Sequence, residues 1–212
     1  MKFHKNMLLL YAVTDRAWIG KQTLPEQIED ALKGGVTIVQ LREKQLDTES
    51  FIEEAVQVRA LCHRYGVPLI INDNVEVALK SGADGVHVGT GDTPVAEIRK
   101  CVPAGFIIGA TCKTVEQARI AEEAGADYMG VGAVFPSPTK TDAIRITNAQ
   151  LREICSGVSI PAVAIGGISR DNILELRGSG AAGAAVVSAI FGAEDIAAAA
   201  AELKGMAQTV IS

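Results

Sequence analysis

Two kinds of apolar pattern alternate along the chain. Short runs of small aliphatic residues, uniform rather than alternating, occur at residues 8–13, 37–41, 69–71, 85–88, 107–108, 128–131, 162–165 and 184–187. A run that is apolar at every position suits a strand covered on both faces, as in a parallel sheet. Between these runs the apolar residues recur at helical spacing, over residues 24–33, 48–65, 75–80, 115–124, 148–155, 170–177 and the alanine-rich 194–206. The clearest case is 48–65, where Phe51, Ile52, Ala55, Val56, Val58 and Leu61 form one stripe.

A glycine-centred phrase punctuates the alternation: KGGVTIVQLR from Lys33, KSGADGVHVG from Lys80, EAGADYMGVG from Glu123 and GSGAAGAAVVS from Gly178. Each copy follows a helical pattern and leads into a strand, where a glycine can take the left-handed conformation that closes a helix. Strands alternating evenly with helices predict a parallel sheet with crossover helices. Eight strands in 212 residues favour a closed barrel over an open doubly wound sheet. The G-x-G-x-x-G phrase of a dinucleotide-binding fold does not follow the first strand. No linker, charge block or low-complexity insert divides the chain, so the expected fold is an α/β, single-domain (βα)8 TIM barrel across residues 1–212.

Composition narrows the class of ligand. A formal net charge of -5 argues against a surface for nucleic acid, though it leaves room for a local phosphate pocket. Cys62, Cys101, Cys112 and Cys155 are scattered, without the paired spacing of a zinc site or a disulfide framework. Lys2 and Lys5 precede a short apolar run at 7–13 that faintly imitates a signal peptide but lacks a small-x-small cleavage pattern. No stretch approaches the ~20 apolar residues of a membrane span. A cytoplasmic protein with no membrane partner is expected. A homo-oligomer is compatible with the pattern but not required by it.

In such a barrel the chemistry gathers at the C-terminal ends of the strands. Reading off those ends gives Thr14 and Asp15; Gln40, Arg42, Glu43 and Lys44; Asn72 and Asp73; His87 and Asp92; Thr111; residues 137–142; Gly166 and Gly167; and Ser188. The opposite ends carry little beyond small residues. Gly166-Gly167 and Val187-Ser188 follow the last two strands, where barrels of this kind commonly bind phosphate, with Ser169 a candidate cap for the next helix. The plainer alternative is a tight turn. Asp73 and Asp92 end neighbouring strands and suit a magnesium ion that keeps waters and takes phosphate oxygens; otherwise each would cap the helix that follows it. Arg42, Lys44 and Lys140 add cations to the same rim. Metal plus cations exceed what one monophosphate needs and point to a diphosphate leaving group. His87, Tyr11 and Trp18 are expected to be structural.

The blocks YAVTD (11–15), VQLREK (39–44), IINDNVEVAL (70–79), GVHVG (85–89), GVGAVFPSPTKTDA (130–143), PAVAIGGI (161–168) and AVVSAI (185–190) occur in order. Together they resemble the thiamine phosphate synthase family over nearly the whole chain. The resemblance implies a transferase joining hydroxymethylpyrimidine diphosphate to hydroxyethylthiazole phosphate, or its carboxylated form, with release of diphosphate and a requirement for Mg2+. It implies Asp73 and Asp92 as metal ligands. Gln40, Arg42, Lys44, Asn72, Thr111 and Lys140 would hold the pyrimidine diphosphate, with Arg42, Lys140 and Thr111 the catalytic members. Ser137, Thr139, Gly167, Val187 and Ser188 would hold the thiazole phosphate. Thr90 stands where the family usually has glutamine, and Thr111 where it usually has serine. A sister branch, the thiazole tautomerases, is similar but has a histidine near position 113, where this chain has Lys113. The alternatives are therefore that tautomerase and a non-catalytic phosphate-ligand barrel; the intact diphosphate set favours the synthase.

Overall fold

A computed structural model describes residues 2–20, 22–136 and 145–211. Eight parallel strands close into a barrel in sequence order: β1 (Leu10–Val13), β2 (Ile38–Leu41), β3 (Leu69–Asn72), β4 (Gly85–Val88), β5 (Ile107–Cys112), β6 (Tyr128–Gly132), β7 (Ala162–Ile165) and β8 (Gly183–Val186). Pairing of Leu10 with Ala184 and of Tyr11 with Ala185 joins the last strand to the first. The helices are α1 (Leu24–Lys33), α2 (Thr48–Arg64), α3 (Val75–Ser81), α4 (Val95–Cys101), α5 (Val115–Glu123), α6 (Asn148–Ser156), α7 (Ser188–Phe191) and α8 (Ile196–Val210). The expected single-domain (βα)8 barrel is the observed architecture.

The glycine phrase has a shared geometry. Gly35, Gly82, Gly125 and Gly180 all have positive φ, a region that a Cβ disfavours. Two residues later the chain docks on the strand before it. Thr37, Asp84, Asp127 and Ala182 donate their backbone N–H to Leu10, Leu69, Ile108 and Ala162 at 2.7–2.9 Å. In three copies the side chain completes a clamp. Thr37 Oγ1 accepts the N–H of Leu10 at 3.0 Å, Asp84 Oδ2 that of Leu69 at 2.9 Å, and Asp127 Oδ2 that of Ile108 at 2.8 Å. The phrase is thus a register device repeated before every even-numbered strand.

The core has two layers. One lies between barrel and helices; the other fills the barrel with Leu8, Tyr11, Val13, Ile38, Ile70, Ile107, Tyr128, Val163 and Ala185. The expected first strand begins too early, because Lys5–Leu8 forms a 3-10 turn that folds Leu8 into the interior. A Cβ on Gly183 would lie 1.6 Å from the Leu8 carbonyl oxygen, so this close passage requires glycine. The fifth strand is longer than its two-residue signal, since Gly109 and Ala110 remain in register with β4 and β6. Residues 170–177 supply only a 3-10 turn at Ile173–Leu176, closed off by positive-φ Gly178 and Gly180. In α2, Phe51, Ala55, Val58, Leu61 and Cys62 form the buried stripe, whereas Val56 is exposed. Steps of 100° carry position 56 around the helix from 55 and 58.

Candidate functional site

The strands' C-terminal ends surround a cavity of about 320 Å³. Tyr11 and Asp15 line it from the first strand and its exit, Gln40 and Arg42 from the second, Asn72 from the third and His87 from the fourth. Thr111 and Lys113 follow from the fifth, Gly130 and Gly132 from the sixth, Gly166 and Gly167 beyond the seventh, and Val187 and Ser188 beyond the eighth. Seven expected site residues thus share one cavity: Gln40, Arg42, Asn72, Thr111, Gly167, Val187 and Ser188. Ser137, Thr139 and Lys140 lie outside the described residues.

Lys44, Asp73 and Asp92 sit on the rim beside this cavity. Lys44 Nζ lies 2.6 Å from Asp73 Oδ2, and Asn72 Nδ2 donates to Asp73 Oδ1 at 2.9 Å. Burial first, and then the neighbouring Asp92 carboxylate, raise the proton affinity of Asp73 above the ordinary aspartate range against the pull of Lys44. Neither carboxylate caps a helix. Asn74 caps α3, with Oδ1 accepting the Val77 N–H at 2.9 Å, and α4 begins at Pro94 without a side-chain cap. Asp92 Oδ2 instead accepts the Gly89 N–H at 2.7 Å, folding the exit of β4 back on itself. Asp73 holds a left-handed backbone conformation at φ 61°, the one positive-φ non-glycine among the described residues. Such a conformation is costly and persists where surrounding structure enforces it.

The cations are held by carboxylates. Arg42 pairs with Asp15 at 3.1 Å rather than with the adjacent Glu43, and its backbone N–H donates to Thr14 Oγ1 at 2.9 Å. Glu43 turns inward, pairing with Arg16 and accepting the N–H groups of Lys44 and Gln45, each at 2.6 Å. Burial opposes ionisation of Glu43, but those N–H donors and Arg16 outweigh it and lower its pKa. The loop carrying Lys44 is therefore anchored by a buried ionised carboxylate.

The glycine turn after β7 is pressed against the exit of β6. A Cβ on Gly167 would lie 2.2 Å from the Pro136 carbonyl oxygen, and Gly167 itself has φ 65°. Phe135 donates its N–H to the Gly166 carbonyl at 3.0 Å, and Asn172 Nδ2 donates to the Gly167 carbonyl at 2.8 Å. Ser169 does not cap a helix by its side chain; its N–H donates to Asn172 Oδ1 at 2.9 Å.

Tyr11, His87 and Lys113 join the cavity although the sequence suggested no site role for the first two. His87 within a strand and Tyr11 as a lone aromatic near a strand end suggest structural roles, and only barrel closure turns both positions toward a common interior. His87 borders the cavity and is otherwise enclosed, which pushes its pKa down to about 4 despite Asp92. Asn72 Oδ1 is buried with no partner among the described residues, leaving an acceptor for a ligand or water to satisfy.

The family model described as thiamine monophosphate synthase matches residues 10–190. A thiamine-phosphate synthase of Ruminiclostridium cellulolyticum is 47% identical over 187 residues, covering 88% of this chain and 89% of the relative. That of Alkaliphilus oremlandii is 47% identical over 195 residues, covering 92% and 93%. A solved structure of thiamine phosphate pyrophosphorylase from Pyrococcus furiosus superposes with a TM-score of 0.90 at 40% identity, covering 98% of this chain and 99% of the other. With the barrel, the cavity and these relatives in agreement, the chain belongs to the thiamine monophosphate synthase family, and its activity is the transfer reaction that forms thiamine phosphate.

Proposed function

We propose that the chain makes thiamine phosphate by letting diphosphate depart from hydroxymethylpyrimidine diphosphate before the thiazole nitrogen attacks the exposed carbon. The methylene carbon–oxygen bond breaks with its electron pair on diphosphate, and a carbon–nitrogen bond then forms from the thiazole lone pair. No proton must move for the balance to close. That fits a cavity in which the described residues supply cations, amides and hydroxyls but no activated nucleophile. Arg42 and Lys44 meet the charge growing on the leaving group, helped by the Thr111 hydroxyl, and Lys140 is proposed for the same task. Gln40 and Asn72 orient the pyrimidine and its diphosphate, while Ser137, Thr139, Gly167, Val187 and Ser188 hold the thiazole phosphate in line. Small-molecule substrates of this kind require neither nucleic acid nor membrane. Among the described residues no helix is long and apolar enough to span a membrane.

The observation that carries this reading is the meeting of Lys44, Asp73 and Asp92 beside the Arg42-lined cavity. Two neighbouring carboxylates, one of them strained and less readily ionised beside the other, fit a hard divalent ion that completes its shell with water and phosphate oxygens. Asp73 and Asp92 would hold Mg2+, which when bound would neutralise the diphosphate's developing charge. Lys44, paired with Asp73 in the free enzyme, would then be released toward the diphosphate.

The test combines purified protein with both substrates, with and without magnesium, and measures thiamine phosphate. Product should form only with both substrates and the metal. Asp73→Asn should lower turnover about tenfold or more while the circular dichroism spectrum is kept, a loss of at least ~1.4 kcal/mol of transition-state stabilisation. Near-normal turnover of that variant would refute the metal assignment.

A further inference from the structure

A buried chain of hydrogen bonds runs through the barrel and ends at Thr111. Gln40 Nε2 donates to the Tyr11 hydroxyl at 2.8 Å, and the Tyr11 and Tyr128 hydroxyls are 2.7 Å apart. Tyr128 Oη lies 3.1 Å from His87 Nδ1, and His87 Nε2 lies 3.1 Å from Thr111 Oγ1. Five strands contribute one member each. Tyr11 and Tyr128 are almost wholly buried.

With the Gln40 amide presenting Nε2 to Tyr11, counting protons gives this chain one direction. Tyr11 already accepts from Gln40, so its single proton goes to Tyr128. Tyr128 must then give its own proton to His87 Nδ1. His87 is left with a proton on Nε2, which it donates to Thr111 Oγ1. The Thr111 proton is thereby free for the cavity. We infer that Tyr128 is a positioning residue: it fixes the Nε2–H tautomer of His87 and so commits the Thr111 hydroxyl to donating into the cavity.

The barrel is built around this contact. A Cβ on Gly109 would stand 2.2 Å from Tyr128 Cζ and 2.5 Å from His87 Nδ1, and one on Gly130 would stand 3.0 Å from His87 Cε1. Phe3 stacks on the Tyr128 ring with centroids 5.9 Å apart and an interplanar angle of 19°. Two glycines and a stacked ring thus hold Tyr128 against His87. Were His87 protonated on Nδ1 while Gln40 Nε2 donates to Tyr11, one of the two tyrosine hydroxyls would receive two protons and its own would have no partner in the chain. Burial makes such an unpaired group expensive.

The consequence for turnover rests on the proposed role of Thr111 at the diphosphate, and two readouts separate the claims. First, nitrogen-15 labelling of histidine, read by long-range proton–nitrogen correlation in the wild-type protein, should show His87 with an imine-type Nδ1 and a pyrrole-type Nε2. A protonated Nδ1 in the neutral ring would overturn the inference. The same spectrum of Tyr128→Phe should show mixed tautomers. Second, kinetics of Tyr128→Phe, Thr111→Val and the double variant should be compared. Tyr128→Phe should lower kcat about tenfold with KM for both substrates nearly unchanged, and the double variant should be no slower than Thr111→Val. Additive losses, or a Tyr128→Phe enzyme as fast as wild type, would defeat the positioning role. Full activity in Thr111→Val would instead remove the diphosphate role of Thr111, and the tautomer result would stand alone. If Tyr128→Phe does not fold, the wild-type spectrum still decides the direction of the chain.

Discussion

At the scale of single residues, carboxylates set where the cations beside the cavity point, and adjacency in the chain does not reveal which carboxylate meets which cation. Glu43 lies beside Arg42 in the chain yet bonds Arg16 and the backbone of its own loop, while Arg42 turns to Asp15. The direction of a side chain at a strand exit depends on the next strand, which adjacency in sequence does not convey. Because its native pKa is lowered, ionised Glu43 stabilises the fold above its unfolded pKa, and that contribution disappears as pH falls through the native value. Glu43→Gln should therefore cost roughly 1–3 kcal/mol at neutral pH, since buried donors and Arg16 lose a charged partner. Urea unfolding at neutral and strongly acid pH checks this: the gap from wild type should narrow in acid. An equal gap at both would contradict it. Asp73 and Asp92 were legible as a pair because they end adjacent strands, whereas the strained backbone of Asp73 was not, since aspartate carries no mark of a positive φ.

At the scale of elements, the glycine phrase explains how strand register is set. Its conserved geometry from copy to copy was visible as glycine spacing, but the function of the residue two places on required paired strands. Asp127 accepts from Ile108 and also pairs with Arg99 at 2.8 Å, which itself donates to the Gly125 and Phe106 carbonyls. Asp127→Ala should destabilise by about 1–3 kcal/mol by orphaning a backbone donor at the barrel's base. Asp127→Asn, which keeps an acceptor, should recover part of that loss. Thermal or urea unfolding of the two variants measures the difference; equal stability of both with wild type would deny the clamp its role. The missed length of β5 has a similar origin. Gly109 and Ala110 look like a strand ending, yet Gly109 is small because Tyr128 and His87 occupy the space its side chain would need.

At the scale of the whole molecule, His87 links the enclosed barrel interior to pH. Its pKa falls from 6.5 to about 4 on folding, so the unfolded chain binds more protons between those values. Stability should be full above about 6.5 and decline as pH drops toward about 4. Melting midpoints followed across that window should fall with acid, and His87→Gln should flatten the part above pH 5, where most carboxylates remain ionised, to about the slope of the remaining groups. A wild-type profile that is flat there would rule out the enclosed neutral imidazole. The sequence alone determined the order of strands and helices, the closed barrel and the end of it where polar residues gather, because period, run length and glycine placement act over a few residues. Seven of the cavity-lining positions could be read from those strand ends. Tertiary structure alone decided which carboxylate each cation meets, that Tyr11 and His87 border the cavity, and that Tyr128 reaches Thr111 through His87. Those contacts join residues as many as 117 apart, and no local pattern encodes a partner brought near only when the last strand pairs with the first.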